Sequence, residues 1–191
     1  MEDEPAISGQ SDEADGDGGL LPGGPGWLLR DVAVLLVTAD RRYLMQLRDD
    51  LPWLRVPSHW ALFGGRVEDS ETPRQAALRE LMEELEFQPG KLDWFTETGF
   101  IMPQLDVGAS RKVFFEARIT AEDIARMVLH EGAAMRLFTL QELLSEPRIV
   151  PWDIGVVILH ARQDQIFRNP APNPASPNDF TGNETASDRI G

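Results

Sequence analysis

The sequence contains no cysteine, which excludes together disulfides, thiolate zinc sites, iron–sulfur clusters and a cysteine nucleophile. Histidine is scarce as well: only His59, His130 and His160 occur, none paired at helical metal-ligand spacing, so a histidine-built zinc site is not expected. Long apolar runs are missing, and the longest, residues 32–37, is far too short to span a bilayer. No basic residue precedes Arg30, and acids follow Met1 directly, so the positive start of a secretory signal is absent. These absences lead to the expectation of a cytoplasmic protein with no membrane partner. Positive charge is also short: 18 Lys and Arg face 32 Asp and Glu, for a formal net charge of −14. Long nucleic acid is therefore not an expected partner, because its binding needs a basic surface that displaces counterions.

What remains is carboxylate chemistry on a chain of 191 residues with 42% apolar content, enough for one domain with a full core. Seven acids lie between Glu2 and Asp17, interleaved with glycine. Residues 1–26 therefore read as a disordered arm, since they cannot bury enough apolar area to offset their ordering entropy. Residues 169–191, with four prolines among Asn, Ser and Asp, read as a disordered tail. The domain is expected over residues 27–168.

Within it, residues 31–38 (DVAVLLVT) form a β-branched apolar run suited to a buried central strand, and residues 43–47 read as its hairpin partner. Residues 51–58 hold two prolines and read as loop; residues 60–63 read as a short strand ending at Gly64 and Gly65. Thr72 and Pro73 supply an N-cap and a first-turn proline for a helix running to about Leu85. Further strands are expected at 94–100 and 112–119, and helices at 140–145 and 152–167. The pattern predicts an α/β/α sandwich with a mixed β-sheet covered on both faces.

On the helix from Pro73, Glu80, Glu83 and Glu84 share an arc of about 100°, while Leu78, Leu81 and Leu85 form a separate apolar stripe. The wheel therefore displays the acids beside the core rather than within it. Carboxylates at i, i+3 and i+4 repel one another unless a cation sits among them, and hard oxygen ligands select Mg²⁺ or Mn²⁺. Taken alone, such a cluster is also what an ordinary solvated helix face looks like.

The longer segment decides between these. Residues 65–87, GRVEDSETPRQAALRELMEELEF, place Gly65, Glu71, Arg79, Glu80, Leu81, Glu83, Glu84 and Phe87 in one register. That register resembles the Nudix box, G-x5-E-x7-R-E-U-x-E-E-x-G-U with U apolar, and it departs only at Glu86, where the family has glycine. The resemblance implies a loop–helix–loop that adds water to a phosphorus of a nucleoside diphosphate linked to another group. Under it, Glu80, Glu83 and Glu84 are metal ligands for Mg²⁺, with Mn²⁺ as a substitute, and the Gly65 carbonyl adds a further oxygen. Glu71 pairs with Arg79 and braces the loop. Glu84 or Glu80 can act as the base, and the His130-Glu131-Gly132 turn resembles one that supplies a late acid in nucleotide-sanitising members, which makes Glu131 the candidate.

Arg48 and Arg66 are candidate phosphate partners, each with a solvated arginine as the alternative. Trp53, Trp60, Trp94 and Trp152 offer ring faces for a base, though most can equally serve the core. Asp153, in the stretch Val150-Pro151-Trp152-Asp153, fits either a purine-reading acid or a helix N-cap. The expected substrate is a small nucleotide-like molecule, a nucleoside triphosphate or nucleotide sugar. Isopentenyl diphosphate isomerisation on a related fold relies on a cysteine, which this chain lacks. A non-catalytic nucleotide-binding sensor is the remaining alternative, and homodimerisation stays open.

Overall fold

The computed structural model describes residues 28–105 and 107–168. Both expected tails, 1–26 and 169–191, lie outside the described residues. The sheet has six strands: β1 (Leu28–Val37), β2 (Tyr43–Leu47), β3 (Trp60–Ala61), β4 (Asp93–Met102), β5 (Val107–Arg118) and β6 (Ala134–Phe138). Their order is β3-β2-β1-β5-β4, with β6 paired to β2. β1 runs parallel to β5 and antiparallel to β2, so the sheet is mixed.

The apolar run in β1 works as a central strand because its alternating side chains feed two different cores. Val32, Val34 and Leu36 join Phe63, Leu81 and Leu85 beneath helix α1 (Pro73–Leu85). Ala33, Leu35 and Val37 join Tyr43, Phe114, Phe138, Val156 and Val157 on the opposite face. That face is covered by α3 (Leu140–Ser145) and α4 (Pro151–Gln163), giving the helix–sheet–helix layering. Two opposed hydrophobic layers of this kind are what drive a central strand to be apolar throughout.

Boundaries differ from the sequence reading in local ways. The 60–63 strand is regular only over Trp60–Ala61, and Phe63 meets Val34 as a single bridge before the chain turns at Gly64. β5 starts at Val107, five residues before the expected 112, because its first residues pair with both β1 and β4. α4 begins at Pro151, and its expected last turn widens over Asp164–Arg168. Two elements were not expected at all: β6 and the short helix α2 (Ala121–Arg126).

α1 starts as its residues dictate. The Thr72 hydroxyl accepts from Gln75 N–H, the Gln75 side chain accepts from Thr72 N–H, and Pro73 occupies the first turn. At the other end Glu86 takes a left-handed conformation, φ 50° and ψ 34°, which closes the helix through Glu86 N–H to the Met82 carbonyl. Among the described residues no helix is long and apolar enough to cross a membrane.

Candidate active site

The turn from β3 into α1 brings the box glycines against the helix acids. Gly64 has φ +135°, and a side chain there would overlap the Val32 carbonyl. A Cβ on Gly65 would overlap the Glu80 carboxylate, so any larger residue there would push that carboxylate from its place. The Gly65 carbonyl accepts from Val32 N–H at 2.8 Å, leaving one lone pair for another partner.

Glu84 departs from the wheel's expectation: it is buried, only 3% exposed. Gln46 Nε2 donates to one of its oxygens at 2.7 Å and Gly64 N–H to the other at 2.8 Å. The angular position was right, but β2 and the glycine turn close over it. Burial pushes its pKa up to about 8 against the pull of those two donors, and the charges of Glu80 and Glu131 push the same way. Glu84 thus lies deep among carboxylates with no basic partner.

Arg79 organises the rest. It donates to Glu71 at 2.8 Å, to Glu80 at 2.9 Å, to Glu83 at 3.0 Å and to the Arg66 carbonyl at 2.8 Å. One guanidinium therefore ties the loop acid, two helix acids and the loop backbone. Burial raises the Glu80 pKa, while Arg79 lowers it. As placed, no three carboxylate or imidazole groups among the described residues stand close enough to chelate one ion. Arg79 lies between Glu80 and Glu83, and Glu84 is turned to Gln46 and Gly64. The donor set still fits a hard divalent cation: three carboxylates within one helical turn, one of them buried without a counterion.

Two clefts meet here. One, of about 420 Å³, is lined by Gln46, Glu84, His130 and Glu131 on its acidic side. The other, of about 300 Å³, is lined by Arg48, Arg55, Arg66, Lys112, Phe100 and Trp152. Arg48, Trp53, Leu54 and Gly64 belong to both, so the two are continuous across the glycine turn. Glu131 is exposed, with no hydrogen bond or ion pair among the described residues, and Gly132 behind it adopts φ +87°. Arg48 donates to the Val56 carbonyl at 3.2 Å.

Of the tryptophans, Trp152 stacks on Phe100 with ring centroids 5.3 Å apart and planes 5° apart. Trp53 stands 74% exposed at the mouth. Trp60 packs against Phe138 in the core, and Trp94 is exposed on β4, lining neither cleft. Asp153 lines neither cleft and is not an N-cap; Val150 holds that position. Its carboxylate accepts from Leu62 N–H at 3.0 Å and pairs with Lys112 at 3.1 Å. Sequence reasoning missed Asp31, Gln46, Arg55, Phe100, Ser110 and Lys112 as site residues. Strand pairing brings all but Arg55 there, Arg55 comes from the loop between β2 and β3, and no local signal marks them.

No curated protein matches the chain by sequence. Among solved structures it resembles the MutT protein of Methanosarcina mazei Go1 (TM-score 0.60, 17% identity, 73% of this chain and 96% of that one). It also resembles the dihydroneopterin triphosphate pyrophosphohydrolase of E. coli (TM-score 0.55, 21% identity, 73% and 95%). A third is the NUDIX domain of Shewanella oneidensis NrtR, solved in complex with ADP ribose (TM-score 0.54, 20% identity, 71% and 87%). At these identities the likenesses establish the fold. The family model for the NUDIX domain matches residues 27–159, the stretch that carries the glycine turn, the acid-bearing helix and both clefts, and the chain accordingly belongs to the NUDIX domain family.

Proposed function

We propose that the chain is a Mg²⁺-dependent hydrolase that cuts a phosphoanhydride bond of a nucleoside diphosphate linked to another group, a nucleoside triphosphate or a nucleotide sugar. The observation that carries this reading is Glu84, a buried carboxylate with no basic partner, at the junction of an acidic and a basic cleft. Glu80, Glu83 and Glu84 would hold the metal, with the Gly65 carbonyl as a further donor, and Mn²⁺ would substitute. When bound, the ion supplies neutralisation of the diphosphate oxygens and a lowered pKa for the attacking water.

The protein's own groups do the remainder. Arg48 and Arg66 face the continuous cleft and bind phosphate oxygens left uncovered. Trp152, braced by Phe100, offers a ring face to the base. Glu131 takes a proton from the attacking water; its lack of a partner among the described residues and its place beside Glu84 suit that role. Glu80 and Glu83 would have to leave Arg79 to hold an ion, while the Arg79–Glu71 pair would keep the loop braced.

Glu83→Gln is expected to lower turnover by at least about 10²-fold with an unchanged circular dichroism spectrum, since it removes a ligand and not a core contact. Wild-type turnover in that variant would refute the assignment. EDTA is expected to abolish hydrolysis of nucleotide substrates and added Mg²⁺ to restore it; full activity in EDTA would rule out the mechanism.

A further inference from the structure

The basic cleft has a floor that the catalytic reading leaves unused. Lys112, on β5, is 8% exposed, and what remains accessible of it lines the cleft of about 300 Å³. Its ammonium lies 3.1 Å from Asp153 Oδ1 and 5.4 Å from the centre of the Phe114 ring. A buried ammonium without a counterion is costly, and Asp153, itself fully buried, provides that counterion. An ammonium carries three protons and no lone pair. Asp153 accepts one of them, and Lys112 has no other hydrogen-bond partner among the described residues.

Beside it stands the opposite kind of group. Asp31, on β1, is the direct register partner of Lys112 on the parallel strand, so the two side chains leave the same face of the sheet. Asp31 lines the same cleft, and its side chain has no hydrogen bond or ion pair among the described residues. A donor-only group and an acceptor-only group thus sit side by side at the cleft floor. The wall above them is the Phe100–Trp152 stack, whose 5.3 Å separation leaves no room for a third ring between them. A base must therefore rest on a free face of that stack.

We propose that Lys112 and Asp31 read the edge of the substrate's base and select rings in which a carbonyl adjoins a ring N–H. Guanine, hypoxanthine and uracil carry that edge: Lys112 donates to the carbonyl oxygen and Asp31 accepts from the N–H. Adenine and cytosine place an amino group where the carbonyl would be, so two donors face each other and Asp31 meets a ring nitrogen that carries no proton. Asp153 is a positioning residue that keeps Lys112 charged and aimed. The inference rests on the nucleotide reading of the same site.

The test compares kcat/KM with Mg²⁺ for GTP, ITP and UTP against ATP and CTP. A preference of about tenfold or more for the first three is expected, and it should fall toward unity in the double variant Lys112→Met/Asp153→Asn, which removes both buried charges together. Lys112→Arg, which keeps the charge, should retain the preference. Should the double variant fail to fold, metal-free titration of the wild type with inosine and adenosine monophosphates decides instead, and tighter binding of the inosine compound is expected. Equal rates across the five triphosphates, or a preference that survives in the folded double variant, would overturn the base-reading role and leave the hydrolase intact. No hydrolysis of any of the five, nor of a nucleotide sugar, would overturn the nucleotide reading and this inference with it.

Discussion

Glu84 couples the site to pH in a direction opposite to that of most carboxylates. Its pKa is pushed up to about 8 in the folded chain, against an ordinary value of 4.5. Between those two values the folded state holds a proton that the unfolded state has lost. Stability therefore falls as pH rises through that window, by at most about 1.4 kcal/mol per unit. Metal-free protein is expected to show a falling urea midpoint from pH 5 to pH 8, and Glu84→Gln to flatten that slope. A midpoint that rises over this range in the wild type would show that the carboxylate is not buried as described. The residue also illustrates what a linear sequence conveys. The spacing of Glu80, Glu83 and Glu84 is local and was readable, as was the Thr72 cap. The burial of Glu84 depends on Gln46, 38 residues away, and on a turn folding back over the helix, and a helical wheel says nothing of what covers a given angle.

At the scale of elements, the exit of α1 is the place where the chain departs from its family's pattern. Glu86 occupies a left-handed position that glycine adopts without penalty. Glu86→Gly is expected to stabilise the fold by about 1 kcal/mol, read as a higher urea midpoint. The contact it forfeits, 2.7 Å to His130, is largely exposed and worth little. Equal or lower stability would mean that the His130 contact outweighs the backbone strain. α2 escaped the sequence reading because none of its residues is buried, so no apolar stripe marks it, and β6 because only its last residue, Phe138, is fully buried. The capping box that starts α2, Thr120 with Asp123, was nonetheless present in the letters. β6 gains its identity only from pairing along the whole of β2.

Across the whole molecule, the sheet is joined to the helical layer of α4 by a chain of polar groups: Tyr43 on β2, His160 on α4 and Glu116 on β5. The Tyr43 hydroxyl lies 2.9 Å from His160 Nδ1, and Nε2 lies 3.0 Å from Glu116 Oε2. His160 holds the Glu116 carboxyl below its usual range, while burial raises Tyr43 to about 12. A depressed carboxylate contributes stability that is present above its unfolded value and is lost as pH falls through the folded one. His160→Leu is therefore expected to move the acid-unfolding midpoint to higher pH, followed by tryptophan fluorescence; an unmoved midpoint would mean that Glu116 carries no such linkage. The layering itself was legible from the unbroken apolar run in β1. The floor of the basic cleft was not, since Asp31 and Lys112 are 81 residues apart and become neighbours only through parallel pairing.

β2 has more partners than its five residues suggest. One edge is divided between β1 and β3, and the other carries β6. At its end stand Gln46, which grips Glu84, the Leu47 carbonyl, which receives Ala133 N–H just past Glu131, and, one residue beyond, Arg48, which enters both clefts. A shift of one short strand end would therefore detune the proposed metal ligand, phosphate partner and base in a single movement, so changes at this hub should be felt by the chemistry well before they are felt by the melting temperature.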